Sequence, residues 1–365
     1  MELQCDEPVN ADYGSGLLVL LGAGASYDCL RGHNDVAPPM TDHLAASTHE
    51  ANRLLSIYPL ARPVVSELRR SVEAREDSSL GLRSTSLEES LRLYVARAES
   101  VRDAAKHVAA FRFYLRDLLF RTATAISELE GGINNYTRLV ADCRNWAHDN
   151  HRVLCFVNFN YDPLLEWACG TEFGFNPSDP AAYSQGESTF IVKPHGSVLW
   201  SWVSRIEYQQ GTEGLPWTRI VETGDPSVPR GLELRMSQSP IDSVAADGVE
   251  RPVYPAMAMP TAGAKSFVWP LDQEALFTRR FSNGTFGKIL VVGWRASEPH
   301  FVPLLARLVP NSAKVLTVTG SAEEDVQEIR RNLSSIVYPT TGVIKNQSGF
   351  SDFMRSELLT RFLDS

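Results

Sequence analysis

Four short segments of the chain combine glycine or polar residue types with a position just after an apolar run. Gly22-Ala23-Gly24-Ala25-Ser26 follows Leu17 to Leu21, and Asn158-Phe159-Asn160-Tyr161-Asp162 follows Val153 to Val157. Lys193-Pro194-His195-Gly196-Ser197 follows Phe190-Ile191-Val192, and Gly293-Trp294-Arg295 follows Lys288 to Val292. A glycine turn after a strand lets a ligand approach the backbone closely, because no Cβ stands in the way. Free N–H groups in such a turn suit a pyrophosphate. The turn lacks the full G-x-G-x-x-G spacing, since Tyr27 takes the last glycine position, so plain strand-to-helix packing also explains it. Asn160 and Asp162 have the polar groups to hold a ligand, or to form Asx turns between strand and helix. His195 is the residue type that moves protons near neutrality, or it simply caps a turn before Gly196. Arg295 and Glu298 read as a surface ion pair. His148-Asp149-Asn150-His151 has metal-binding residue types but no third ligand at sensible spacing, so no metal is expected. No Ser-His-Asp order, paired-carboxylate signature or P-loop lysine is present.

These segments need a scaffold that brings strand ends together. Apolar runs at Val153–Val157, Phe190–Val192, Lys288–Val292 and Val315–Val318 read as short buried strands, with others at Leu199–Ile206 and Ile336–Tyr338. Helical patterns lie between several of them: a helix through Leu164, Leu165 and Trp167, one after Glu298-Pro299, one over Ala322–Leu333 and one over Phe350–Phe362. From 42 to 150 the pattern is helical almost throughout. Thr41-Asp42 suits a helix start, Ser86-x-x-Glu89 is a capping box, Val101 to about Leu129 carries core spacing, Gly131-Gly132 stops it, and Tyr136 to about His148 resumes. Gln209–Gly248 reads as a loop-rich excursion with one hairpin. The expected fold is α/β: a Rossmann-like parallel sheet flanked by helices, with a large all-helical insertion (42–150) after the first strand. In a parallel sheet the four motifs converge on the edge where such folds bind ligands. The whole chain, 1–365, is expected to form a single catalytic domain.

The bulk properties narrow the function. With 365 residues, 43% hydrophobic and 22% charged, the chain has globular composition. A formal net charge of -9 argues against direct nucleic-acid binding. Leu17–Leu21 is far too short to span a membrane and follows the acidic Glu2, Asp6, Glu7 and Asp12, so neither a membrane segment nor a signal peptide is expected and a cytoplasmic location is. Cys5, Cys29, Cys143, Cys155 and Cys169 are irregularly spaced, as reduced thiols would be, and no cysteine follows Cys169.

In combination the motifs resemble the sirtuin-like family of NAD-consuming proteins, above all its bacterial antiphage branch. The resemblance rests on Gly22-Ala23-Gly24-Ala25-Ser26, Asn160-Tyr161-Asp162, Lys193-Pro194-His195-Gly196-Ser197 and Val291-Val292-Gly293-Trp294, with Pro255–Lys265 similar to a proline-rich segment of the family. It departs from the family at Asn158, where threonine is frequent, and at Arg295-Ala296-Ser297-Glu298, where serine and aspartate usually follow. The resemblance implies NAD+ as substrate, with Asn160, Asp162 and His195 catalytic. Gly22, Ala23, Gly24, Ala25, Ser26, Ser197 and Gly293 would bind the dinucleotide. Asn160 would hold the ribose or the attacking water, Asp162 the carboxamide, and His195 would act as base. Protein-deacylating sirtuins carry a four-cysteine zinc module that this chain cannot build, so the resemblance implies NAD+ hydrolysis before deacylation or ADP-ribosyl transfer. It further implies an effector that depletes NAD in abortive infection, held silent by homo-oligomer assembly, a ligand or a separately encoded sensor or activator subunit. The alternative is a non-catalytic NAD or ADP-ribose-binding regulatory subunit.

Overall fold

The computed structural model describes residues 16–30, 32–33, 36–38, 48–76, 87–97, 101–183, 188–206, 216–223, 233–246, 248–259, 268, 281, 285–296, 298, 301–310, 312–320, 323–334 and 349–365. The first strand, β1 (Gly16–Leu21), is wholly buried, as its unbroken apolar run requires of a strand covered on both faces. It is flanked by β2 (Leu154–Asn158) and, in the other direction, by β8 (Phe286–Val292). With β3 (Thr189–Val192) outside β2 and β9 (Lys314–Val318) outside β8, a five-stranded parallel sheet of order β3-β2-β1-β8-β9 results. Alternation along β1 assigns its side chains to two cores. Leu17, Val19 and Leu21 enter one cluster, while Leu18 and Leu20 join Ile289, Val291, Leu304, Leu305 and Ile329 in the other. Each fully buried aliphatic side chain of this kind contributes roughly 1.5–3 kcal/mol.

Between β1 and β2 the regular elements among the described residues are all helices. A five-residue helix α1 (Ala23–Tyr27) precedes α2 (His49–Ile57), α3 (Arg62–Glu76), α4 (Leu87–Arg97), α5 (Val101–Glu128) and α6 (Asn135–Asp149). The expected start at Thr41-Asp42 and the Ser86 half of the capping box lie outside the described residues. The 28-residue α5 buries Val108, Phe111, Leu115 and Leu118 along one face, and its chain turns at Gly131-Gly132. After β2 comes α7 (Leu164–Phe173).

A second, antiparallel sheet stands beside the expected parallel one. β4 (Gly196–Val203) starts earlier than anticipated, and the stretch expected to be mostly loop contains α8 (Pro216–Thr223), β5 (Leu234–Met236) and β6 (Ser243–Ala246). With β7 (Val249–Met257) these strands form an antiparallel sheet of order β5-β4-β7-β6. Pro252 and Pro255 hide β7 in the sequence, because proline donates nothing to a ladder. The structure accommodates them by dividing the strand: Val249–Pro252 pairs with β6 and Val253–Met257 with β4. The helical insertion packs on this sheet, with Phe113 edge-on to Tyr254 at 5.8 Å, and on α8, with Tyr58 edge-on to Trp217 at 5.0 Å.

On the far side lie α9 (Val302–Leu308) and α10 (Glu323–Leu333). The expected single C-terminal helix is two, α11 (Gly349–Phe353) and α12 (Leu358–Asp364), because Ser356 accepts the Leu358 N–H and restarts the chain. The strand expected at Ile336–Tyr338 lies outside the described residues. Among the described residues, no helix is long and apolar enough to cross a membrane.

Candidate functional site

All four motifs follow parallel strands, so they meet at one sheet edge. The chain places β2 and β3 on one side of β1 and β8 and β9 on the other. Such a reversal of strand order opens a crevice between the two central strand ends. Gly22 and Gly293 stand on its two sides in direct contact. A Cβ on Gly22 would lie 2.5 Å from the Gly293 carbonyl oxygen, and one on Gly293 (φ +61) 2.3 Å from the Ala25 nitrogen. These glycines are therefore demanded by strand-end packing before any ligand arrives. The N–H groups expected to be free are largely engaged: Gly22 donates to Val292 O (3.0 Å), Gly24 to Gly293 O (3.2 Å) and Ala25 to Gly22 O (2.9 Å). Ala23 and the half-exposed Gly24 form the turn's solvent-facing edge.

Asn160 leans onto this turn. Asn158 Oδ1 accepts its backbone N–H at 3.0 Å, an Asx turn that fixes the chain after β2. The Asn160 side-chain Nδ2 donates to Gly22 O (2.8 Å), to Ser26 Oγ (2.8 Å) and to Tyr136 OH (3.2 Å). The Ser26 and Tyr136 hydroxyls are themselves 2.9 Å apart. Burial raises the Tyr136 phenol far above its ordinary range, so it remains neutral. No sequence signal marked Tyr136, which lies inside the helical insertion and meets Ser26 only through the fold.

Asp162, also fully inside, starts α7 by accepting the Leu164 N–H at 3.2 Å. Burial pushes its carboxyl upward, with the Lys193 charge opposing. Lys193 joins two of the motif loops: its Nζ donates to the Asp162 carbonyl oxygen and to Glu166 Oε1, both at 2.7 Å. Ser197 Oγ donates to the same Glu166 oxygen at 3.0 Å, so this hydroxyl, expected at the dinucleotide, is turned to a buried carboxylate. Lys193 and Glu166 are both fully buried. Glu166 was not among the residues anticipated from sequence.

His195 stands where the parallel sheet hands the chain to the second sheet. Its carbonyl accepts the Ala258 N–H at 2.8 Å, while Tyr161 donates its hydroxyl to Ala258 O at 2.6 Å. The imidazole lies 5.3 Å from the Phe159 ring and 6.4 Å from Tyr161. Phe159 stacks in turn on Trp294 at 4.7 Å and 2°. The Trp294 indole N–H donates at 2.5 Å to Glu298, the residue anticipated as a partner of Arg295.

No protein-family model and no curated protein matches this chain. Among solved structures it is similar to a mutant Sir2 homologue in complex with 2'-O-acetyl ADP ribose, at 12% identity and a TM-score of 0.43, over 96% of this chain and 92% of that one. A Sir2 homologue–NAD complex is similar at 12% identity and a TM-score of 0.40, over 96% of this chain and 90% of the other. The doubly wound layout stands on the strand order itself.

A cavity of about 1190 Å³ lies elsewhere, between α2, α5 and the segment before β6, lined by Tyr27, Thr48, Glu50, Arg116, Arg121 and Asp242 among others. Arg116 is ion-paired with Asp117 and Asp242, so its charge is already answered. None of the strand-end residues except the neighbouring Tyr27 faces that cavity. No group of His, Cys, Asp and Glu fit to hold a metal occurs among the described residues.

Proposed function

We propose that this chain is an NAD+ glycohydrolase, releasing nicotinamide and ADP-ribose. The observation that supports it is the contact of Asn160 with the Gly22–Ser26 turn and of that turn with Gly293 at the parallel-strand edge, around the reversal of strand order, with Asp162 and His195 on the segments that follow β2 and β3 at the same edge. Hydrolysis adds a water oxygen to the ribose C1′ while the C–N bond to nicotinamide breaks. The bonding electron pair leaves with the nicotinamide nitrogen, and the proton shed by water passes to His195 or to solvent. The leaving group is already cationic, so no strong acid is required. Asn160 orients the water or a ribose hydroxyl, Asp162 holds the carboxamide, and the Gly22–Ser26 turn with Gly293 seats the diphosphate and adenosine side. In cells the enzyme would act as an antiphage effector that depletes NAD on a trigger supplied by a partner subunit, a ligand or self-assembly. Burial of Asn160 (7% exposed) and His195 (1%) fits a site kept closed until then.

The same burial supports a second reading, an NAD or ADP-ribose-binding regulatory subunit without turnover. Deacylation is disfavoured because no cysteine follows Cys169 to build a zinc module. The deciding experiment follows nicotinamide release from NAD+ by the purified chain, alone and with co-purifying partners. Asn160→Ala and His195→Ala are each expected to lower turnover by at least about 100-fold. Equal turnover in the variants would sink the mechanism, and tight binding without turnover under every trigger would establish the regulatory subunit.

A further inference from the structure

Tyr136 belongs to none of the four motifs, yet its hydroxyl stands inside the site. Its position is set by the start of α6. Asn134 Oδ1 accepts the N–H of Tyr136 (2.9 Å) and of Thr137 (3.3 Å), closing a capping box. The neighbouring Asn135 Nδ2 donates to Asp28 O (2.8 Å) and Ser351 Oγ (2.9 Å), and the Tyr136 ring meets Phe350 edge-on at 5.8 Å. The helix start is thus fixed to the glycine-turn segment and to the C-terminal helix α11.

The orientation of the Asn160 amide follows from its partners. A carbonyl oxygen only accepts, so the Asn160 atom 2.8 Å from Gly22 O is the NH2 group. Its two protons serve Gly22 O and the adjoining Ser26 and Tyr136 hydroxyls. Oδ1 then points away from the turn, and among the described residues no donor reaches it. We propose that Tyr136 is a positioning residue: its hydroxyl, shared with Ser26, locks the Asn160 NH2 against the glycine turn, so that Asn160 presents Oδ1 as an acceptor to a hydroxyl donor, the attacking water or a ribose hydroxyl. The proposal rests on the NAD+ reading and assigns Asn160 the acceptor role within it. It also gives the helical insertion one atom at the reaction centre.

Tyr136→Phe tests this, because it keeps the ring against Phe350 and removes only the hydroxyl. The expected result is a kcat for nicotinamide release lower by about tenfold, KM unchanged, in a variant that remains folded. The Asn160 side-chain NH2 protons, expected to exchange slowly by NMR in the wild type, should exchange faster in the variant. Should Tyr136→Phe fold poorly, Ser26→Ala removes the other shared oxygen and should lower kcat in the same way. Unchanged kcat in folded Tyr136→Phe, or unchanged Asn160 NH2 exchange, overturns the proposal. If the wild type releases no nicotinamide with any partner, the NAD+ reading fails separately, and the NH2 exchange alone decides whether Tyr136 orients Asn160.

Discussion

Lys193 and Glu166 form an ion pair with both side chains fully buried. Withdrawing each charge from water costs several kcal/mol, roughly, and the attraction offsets this only when further hydrogen bonds complete the group. Here the Asp162 carbonyl gives Lys193 a second partner and the Ser197 hydroxyl gives Glu166 Oε1 one, but Glu166 Oε2 has no hydrogen-bond partner among the described residues. Burial still dominates for Glu166, pushing its carboxyl above the usual range against the pull of Lys193. A carboxyl whose pKa rises on folding binds its proton more tightly in the native state. Its contribution to stability is therefore complete below the ordinary carboxylate range and is lost as pH rises through the folded value. Urea denaturation across a pH series should show Glu166→Gln holding its stability better than wild type as pH is raised above about 4.5. Parallel profiles would refute this. Lys193 was visible in the sequence as part of a motif, whereas Glu166 was one acidic residue on a helix. Only the adjacency of β2 and β3 makes it a partner, and sequence carries no record of that adjacency.

At the scale of elements, the parallel strands and their helices were legible because unbroken apolar runs of about five residues have few other uses. The second sheet was not, and β7 shows why. Its two prolines spoil the strand pattern, and the structure tolerates them only because each half of the strand has a different partner. That sheet bears directly on the site, since the end of β7 supports the His195-Gly196 turn. Gly196 has φ +82, and a Cβ there would lie 1.9 Å from the Ala256 carbonyl oxygen. Gly196→Ala is expected to cost on the order of 3 kcal/mol and to displace His195. Thermal unfolding of the variant checks the first part and nicotinamide release the second. A variant as stable as wild type would mean that the His195 loop and β7 do not press on each other as described.

For the molecule as a whole, the site joins residues from three bodies: the parallel sheet, the antiparallel sheet behind His195, and the helical insertion through Tyr136. The convergence of motifs was readable from a parallel-sheet expectation, but the packing of the insertion was not, since amphipathic helices do not declare their partner. A ligand that binds only the assembled site stabilises the native state by about 2.7 kcal/mol at a concentration 100 times its Kd. ADP-ribose, the product of the proposed reaction and without a nicotinamide bond to cleave, is therefore expected to raise the melting temperature of wild type and of His195→Ala alike. No shift in either at millimolar ADP-ribose would speak against a dinucleotide site of any kind.

The contact between Gly22 and Gly293 has a consequence for synthesis. Gly22 follows β1 and Gly293 follows β8, and β1 has its β8 neighbour only once the chain has been made through Val292. Pairings so distant in sequence form late in folding. A nascent or truncated chain can therefore complete its helical insertion and still lack the crevice. For a protein whose proposed product is the loss of a cell's NAD, topology alone keeps any copy that stops short of β8 harmless.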